Sequence, residues 1–183
     1  MNGTVLLIGA SRGLGYAIAA EYIARGAQVV GTVRGPARTM LHDLQETVGG
    51  RLEIEHVDID APEQVQSLHD RLGTRSFDLL FVNAGVTNRP EETTADVTTE
   101  EFTRLMVTNA LSPMRVIETL GELVVPDGTI AIMSSGQGKT DLGGPSARLT
   151  ISESIPNLVT TIDAQRGHAG LQYLDYLGQT VAW

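Results

Sequence analysis

Cysteine is absent from this sequence, which removes disulfides, thiol nucleophiles and cysteine-ligated metals without identifying a compartment. Lysine occurs once, as Lys139. No apolar run approaches the roughly 20 residues that span a bilayer, and no basic stretch leads into a signal-peptide core, so a soluble, cytoplasmic protein is expected. The four histidines, His42, His56, His69 and His168, are scattered, and none sits in a ligand spacing such as H-E-x-x-H; no metal site is expected. Positive charge is also scarce. With 13 Lys and Arg against 22 Asp and Glu the net charge is −9, which disfavours nonspecific nucleic-acid binding, because that affinity comes largely from cations at phosphates. A local arginine pair can still hold a small phosphate.

What is present is an ordinary globular composition, 42% apolar over 183 residues, enough for one buried core and short for two. No internal repeat or linker divides the chain. Thr4 to Ile8 is a short β-branched run that stops at a glycine loop, after which Leu14 to Ile23 carries apolar residues at helical spacing. Gln28 to Val33, Leu52 to Val57, Asp78 to Val82 and Thr129 to Met133 read as further strands, and Pro62 to Leu72 as a helix. Glu100 to Leu123 reads as one long helix with a possible kink at Pro113. Strands apolar on both faces, alternating with helices, predict a Rossmann-type, doubly wound parallel sheet, an α/β fold in three α/β/α layers and a single domain. Its ligand would lie beyond the carboxyl ends of the strands. After Met133 the pattern fails. Ser134 to Ser146 is rich in Ser and Gly, Ser152 to Ala164 is a helix in which Pro156 is awkward unless the helix begins near it, and Gln172 to Tyr176 is a short strand turning at Gly178.

The segment Ile8-Gly9-Ala10-Ser11-Arg12-Gly13-Leu14-Gly15 joins the first strand to the first helix. Glycines let the backbone turn tightly and approach a ligand, and the helix start offers N–H groups and a positive dipole to phosphate. The spacing Gly-x-x-x-Gly-x-Gly resembles the short-chain dehydrogenase/reductase family. Further resemblances follow in family order: Asp58-Ile59 as the adenine contact, Asn83-Ala84-Gly85 as the N-A-G motif, and Asn109 as the helix asparagine. Ser134-Ser135 followed by Gly138 completes the series, with Ser135 in the catalytic position. The resemblance implies that Gly9, Ser11, Arg12, Gly13, Leu14 and Gly15 hold the cofactor with Asp58, Ile59, Asn83, Ala84 and Gly85. It also implies a carbonyl or alcohol substrate and a homo-oligomer. At the end of the second strand an acid would bind a ribose 2′-hydroxyl and an arginine a 2′-phosphate. Gly31-Thr32-Val33-Arg34 has no acid, so Arg34 with Arg12 favours NADP over NAD.

The family passes the proton through a tyrosine whose pKa is lowered by a lysine four residues later, while serine orients the substrate oxygen and asparagine supports a water relay. A phenol near pKa 10 is otherwise a poor acid or base at neutral pH. Here Tyr-x-x-x-Lys is missing: four residues before Lys139 stands Ser135, and Tyr16, Tyr22, Tyr173 and Tyr176 lie in the first helix and near the C-terminus. A collinear reading puts Leu149 and Glu153 where Tyr and Lys belong. The alternative likens Lys139 to Pro145 to the run after the family's sixth strand, placing Thr140 at the cofactor and 139–183 as a C-terminal tail resembling that of compact, C-factor-like members. It implies that about 50 residues, one strand-helix-strand unit, are missing after Gly138, and it accounts for more of the tail. Either an oxidoreductase has lost its catalytic unit from this sequence, or a pseudoenzyme binds nucleotide as a sensor or partner subunit. Intact mass spectrometry of the purified protein decides between them: a mass well above 19.6 kDa is expected if the unit belongs to the molecule, and 19.6 kDa if it does not.

Overall fold

The apolar runs assemble into one all-parallel sheet with β1 (Thr4–Ile8) at its centre. The other strands are β2 (Gln28–Val33), β3 (Leu52–His56), β4 (Phe77–Val82) and β5 (Val124–Ile132), in the order β3-β2-β1-β4-β5. The computed structural model describes residues 3–88, 92–134 and 149–182. In β1 successive side chains point to opposite faces, and both faces are buried. Val5 and Leu7 join one core, with α1 (Gly13–Ala24), α2 (Met40–Thr47) and α6 (Ile151–Asp163). Leu6 and Ile8 join a second core, with α3 (Pro62–Leu72) and α5 (Ser112–Leu120). This is the doubly wound arrangement expected from the strand pattern.

Four local departures from the sequence reading have physical causes. The helix α2 is too short to show a period, burying only Leu41; it is started by Thr39, whose N–H donates to His42 Nδ1 at 3.1 Å in a capping box. The strand β5 begins at Val124 rather than at the expected Thr129, because Pro126-Asp127-Gly128 is an irregularity inside the strand where the register with β4 shifts. A Cβ on Gly128 would lie 2.5 Å from the Val124 side chain. The long helix is broken upstream of Pro113, into α4 (Thr99–Met106), a π turn at Val107–Leu111 and α5. Pro113 has no N–H to give the carbonyl of Asn109, so the preceding turn widens and the Ser112 N–H reaches back to Val107 instead.

In α6, finally, Pro156 is tolerated six residues into the helix. A Thr150–Glu153 capping box starts the helix, Ile155, Val159 and Ile162 are buried against the α1 side, and Arg25 donates to the Pro156 carbonyl at 2.8 Å. The C-terminal turn is an isolated antiparallel bridge between Leu174 and Thr180, closed through Gly178. Among the described residues, no helix is long and apolar enough to cross a membrane, and no group of His, Asp or Glu is placed to hold a metal ion.

Opposite the strand ends that would carry a ligand, Asp78 ties three segments together. It accepts the Thr4 N–H at 2.7 Å and the Thr4 hydroxyl at 3.2 Å, and it pairs with Arg166 at 2.6 Å. Burial by itself raises a carboxyl pKa, but the Thr4 donors and the Arg166 charge outweigh it and hold Asp78 below the usual carboxylate range. A depressed folded-state pKa contributes stability above the unfolded value of about 4 that is lost as pH falls through the folded value. Asp78→Asn is therefore expected to destabilise the protein at pH 7, with the deficit shrinking as pH falls below about 4. Urea unfolding of both proteins across that range checks this, and a deficit independent of pH contradicts it.

Candidate functional site

The carboxyl ends of β1 and β4 meet in a junction with no spare volume. Gly9 leaves β1 at φ +90°, and a Cβ there would lie 2.7 Å from the Ala84 backbone. A Cβ on Gly15 would lie 2.0 Å from the Gly9 carbonyl oxygen and 2.7 Å from the Asn83 side chain, so the first turn of α1 rests directly on the loop. Asn83 donates its side-chain amide to that same Gly9 carbonyl at 2.9 Å, and the N–H groups of Asn83 and Ala84 both donate to Ile8 O at 2.9 Å. On the other side the Gly9 N–H donates to the buried Thr32 hydroxyl at 2.9 Å, and the Ala10 N–H to Thr32 O at 2.8 Å. Thr32 was not singled out from sequence; the signal available was a single hydroxyl in an otherwise apolar strand.

The glycine loop delivers the N-terminus of α1 to the strand ends. Its N-cap, Arg12, makes no side-chain capping bond, and its first turn carries no acid. A helix start left in this condition favours an anion. Gly13 is at φ +56°, Leu14 packs against the core below, and Ser11 is half-buried. Arg12 and Arg34 are exposed at the ends of adjacent loops, which the Ala10–Thr32 bond brings side by side. After β3, Asp58 is half-buried and accepts the Asp60 N–H at 3.1 Å, while the Ile59 side chain is buried in the second core.

Asn109 lies in the π turn and faces the loop after β4. Its side-chain oxygen accepts the Val86 N–H at 2.9 Å, and its amide donates to Val86 O at 2.8 Å, a two-point clamp on the backbone just past Gly85. A Cβ on Gly85 would come within 3.2 Å of that oxygen. Beyond the clamp a polar recess of about 470 Å³ opens, lined by Thr87, Asn88, Glu92, Asp96, Glu101 and Arg104. Ser135 and Thr140, named from sequence, lie outside the described residues, as do Gly138 and Lys139; Ser134 is exposed at the end of β5. Of the four tyrosines, Tyr22 is buried between α1 and α6, where burial and the neighbouring Asp163 push its phenol well above the usual range. Glu153, which the collinear reading would set in the lysine position, closes the capping box of α6, and that helix packs against α1.

The short chain dehydrogenase family model matches residues 3–147. A short-chain dehydrogenase/reductase from Burkholderia multivorans, solved with bound NADP, superposes with a TM-score of 0.95 at 47% identity, covering 100% of both chains. A carbonyl reductase from Pseudomonas aeruginosa PAO1 in complex with NADP gives 0.86 at 28% identity, covering 98% of this chain and 99% of that one. The NADPH-dependent pterin aldehyde reductase of Arabidopsis thaliana is 29% identical over 141 residues, 75% of this chain and 58% of that protein. The chain spans between 49% and 58% of the first curated relatives it matches. With the family model matching residues 3–147 and the parallel sheet superposing on solved members, the chain belongs to the short-chain dehydrogenases.

Proposed function

We propose that this chain is the nucleotide-binding portion of an NADP(H)-dependent reductase or dehydrogenase, cytoplasmic and homo-oligomeric, acting on a small carbonyl or alcohol. The observation that carries the reading is the Gly9–Gly15 turn locked by Asn83 beneath an uncapped helix start. Phosphate oxygens would meet the first N–H groups of α1, the 2′-phosphate would lie between Arg12 and Arg34, and the adenine would lie beside Asp58. When bound, the cofactor supplies or accepts the hydride. The chain's own contribution is placement: Ala84 and Gly85 form a floor without side-chain bulk, and the Asn109 clamp fixes the backbone at Val86.

The packing of α6 bears on the missing tyrosine and lysine. Right-handed crossovers put α3 and α5 on one face of the sheet and α1 and α2 on the other. A catalytic helix following β5 would continue the first set, beside α5. Instead α6 lies with α1, which favours reading it as a later helix of the family, after an unrepresented unit. The surface that unit would cover is apolar: Ile130 and Ile132 on β5 are 43% and 51% exposed, and Met114 on α5 is 66% exposed. The pseudoenzyme reading rests on the absence of Tyr-x-x-x-Lys from the sequence and predicts cofactor binding without turnover.

Two outcomes are expected. NADPH binds more tightly than NADH, and Arg34→Asp weakens NADPH by about tenfold or more, through a lost ion pair and added repulsion, while NADH changes little; fluorescence titration reads this, and equal affinities insensitive to the change would count against the phosphate pocket. A preparation whose mass is verified as 19.6 kDa is expected not to oxidise NADPH with simple ketones or aldehydes at a steady rate, since its sequence carries no Tyr-x-x-x-Lys pair to tune a proton donor. Turnover that Ser135→Ala abolishes would overturn this.

A further inference from the structure

The clamp on Val86 works only if the π turn holds Asn109 at one rotation about the helix axis, and the side chains that set that rotation point the other way. Thr108 lies within the turn and Ser112 follows it, four residues apart, and both are buried, at 4% and 0% exposed. Both hydroxyls donate to one carboxylate, that of Asp60: Thr108 to Oδ2 at 2.5 Å and Ser112 to Oδ1 at 2.7 Å. Asp60 is itself fixed, because its N–H donates to Asp58 Oδ1 at 3.1 Å and the Asp58 N–H donates to the Gln64 side chain at 3.0 Å. One carboxylate thus spans the widened turn from the far side and ties it to the loop after β3.

We propose that Asp60 is the positioning residue for Asn109, acting through Thr108 and Ser112. A π turn has weaker local reasons to persist than an α turn, since Pro113 removes a donor without choosing which way the backbone relaxes. Two charge-assisted bonds on the buried face choose it. They fix the axial and rotational setting of residues 107–111, and Asn109, on the exposed side of the same turn, then meets Val86 squarely. Loss of Asp60 strands two buried hydroxyls, which turn to the helix carbonyls behind them and let the turn relax toward α geometry, swinging Asn109 off the loop. Asp60 touches neither cofactor nor substrate in this account. The functional weight of the clamp rests on the nucleotide reading above; the clamp's mechanics do not.

The test is hydrogen exchange by NMR on the whole protein without nucleotide, comparing the Val86 amide with the Leu80 amide in the central sheet. In Asp60→Ala and in the double variant Thr108→Val, Ser112→Ala, Val86 is expected to exchange about tenfold faster while Leu80 changes by less than about twofold. Asp60→Asn, which keeps an oxygen acceptor and can donate to the second hydroxyl, is expected to restore most of the protection. Equal acceleration at both amides, or none at Val86, overturns the proposal. Should Asp60→Ala fail to fold, Thr108→Val alone, which spares the Ser112 bond, decides by the same comparison with a smaller expected effect. A parallel NADPH titration of the unsubstituted protein separates the two ideas, because missing affinity with an intact Val86 response defeats the nucleotide reading and supports the positioning one.

Discussion

At the centre of this structure is a contact that permits no side chain. The first turn of α1 lies so close to the end of β1 that a Cβ on Gly15 would overlap the Gly9 carbonyl, and that carbonyl is held from the other side by Asn83. Three elements therefore converge on one backbone oxygen. Because α1 is seated there, its N-terminus is aimed at the strand ends. Because Asn83 is held there, the loop after β4 leaves the sheet in one direction and reaches Asn109. The glycine turn, the asparagine and the clamp at Val86 form one chain of contacts rather than three independent motifs.

Around that junction, polar groups are few and are placed where they hold backbone. Thr32 takes the Gly9 N–H from the β2 side, Asp60 holds the π turn from beneath, and Asp78 ties β1, β4 and the segment after α6 together at the opposite end of the strands. A hydroxyl or carboxylate buried without partners is costly; the Thr32 hydroxyl is met by the Gly9 N–H, and the two carboxylates each by two or more groups. The core on both faces of the sheet is apolar and supplies the bulk of the stabilisation, while these contacts set the loop geometry.

The two faces of the sheet differ in how completely they are covered. The face under α1, α2 and α6 is buried along β1 and β2, with Ala131 of β5 and Ile54 of β3 partly buried against the same core. The face under α3 and α5 ends at β5, where Ile130 and Ile132 meet solvent, and α4 and α5 carry Phe102, Met106 and Met114 outward.

Much of the fold was legible in the sequence, for a reason the elements themselves make plain. Strands buried on both faces must be continuous apolar runs, so β1 and β2 could be bounded to the residue and β4 to within one, and a helix with apolar residues at helical spacing such as α3 declares both its ends. The glycine turn was read from its place between the first strand and the first helix, whereas Asn83 and Asn109 were named through the family resemblance alone; the structure sets them on the Gly9 carbonyl and on Val86. Tertiary structure alone decided the rest. Local signals start the fifth strand at Thr129 where pairing with β4 carries it back through an irregularity to Val124, and read one helix with a kink at Pro113 where the π turn precedes it. The roles of Thr32 and Asp60 depend on partners 23 to 52 positions away in the chain. Nothing in the local spacing of a lone threonine or aspartate records which distant donor it will meet, because that pairing exists only once the sheet has brought the loops together.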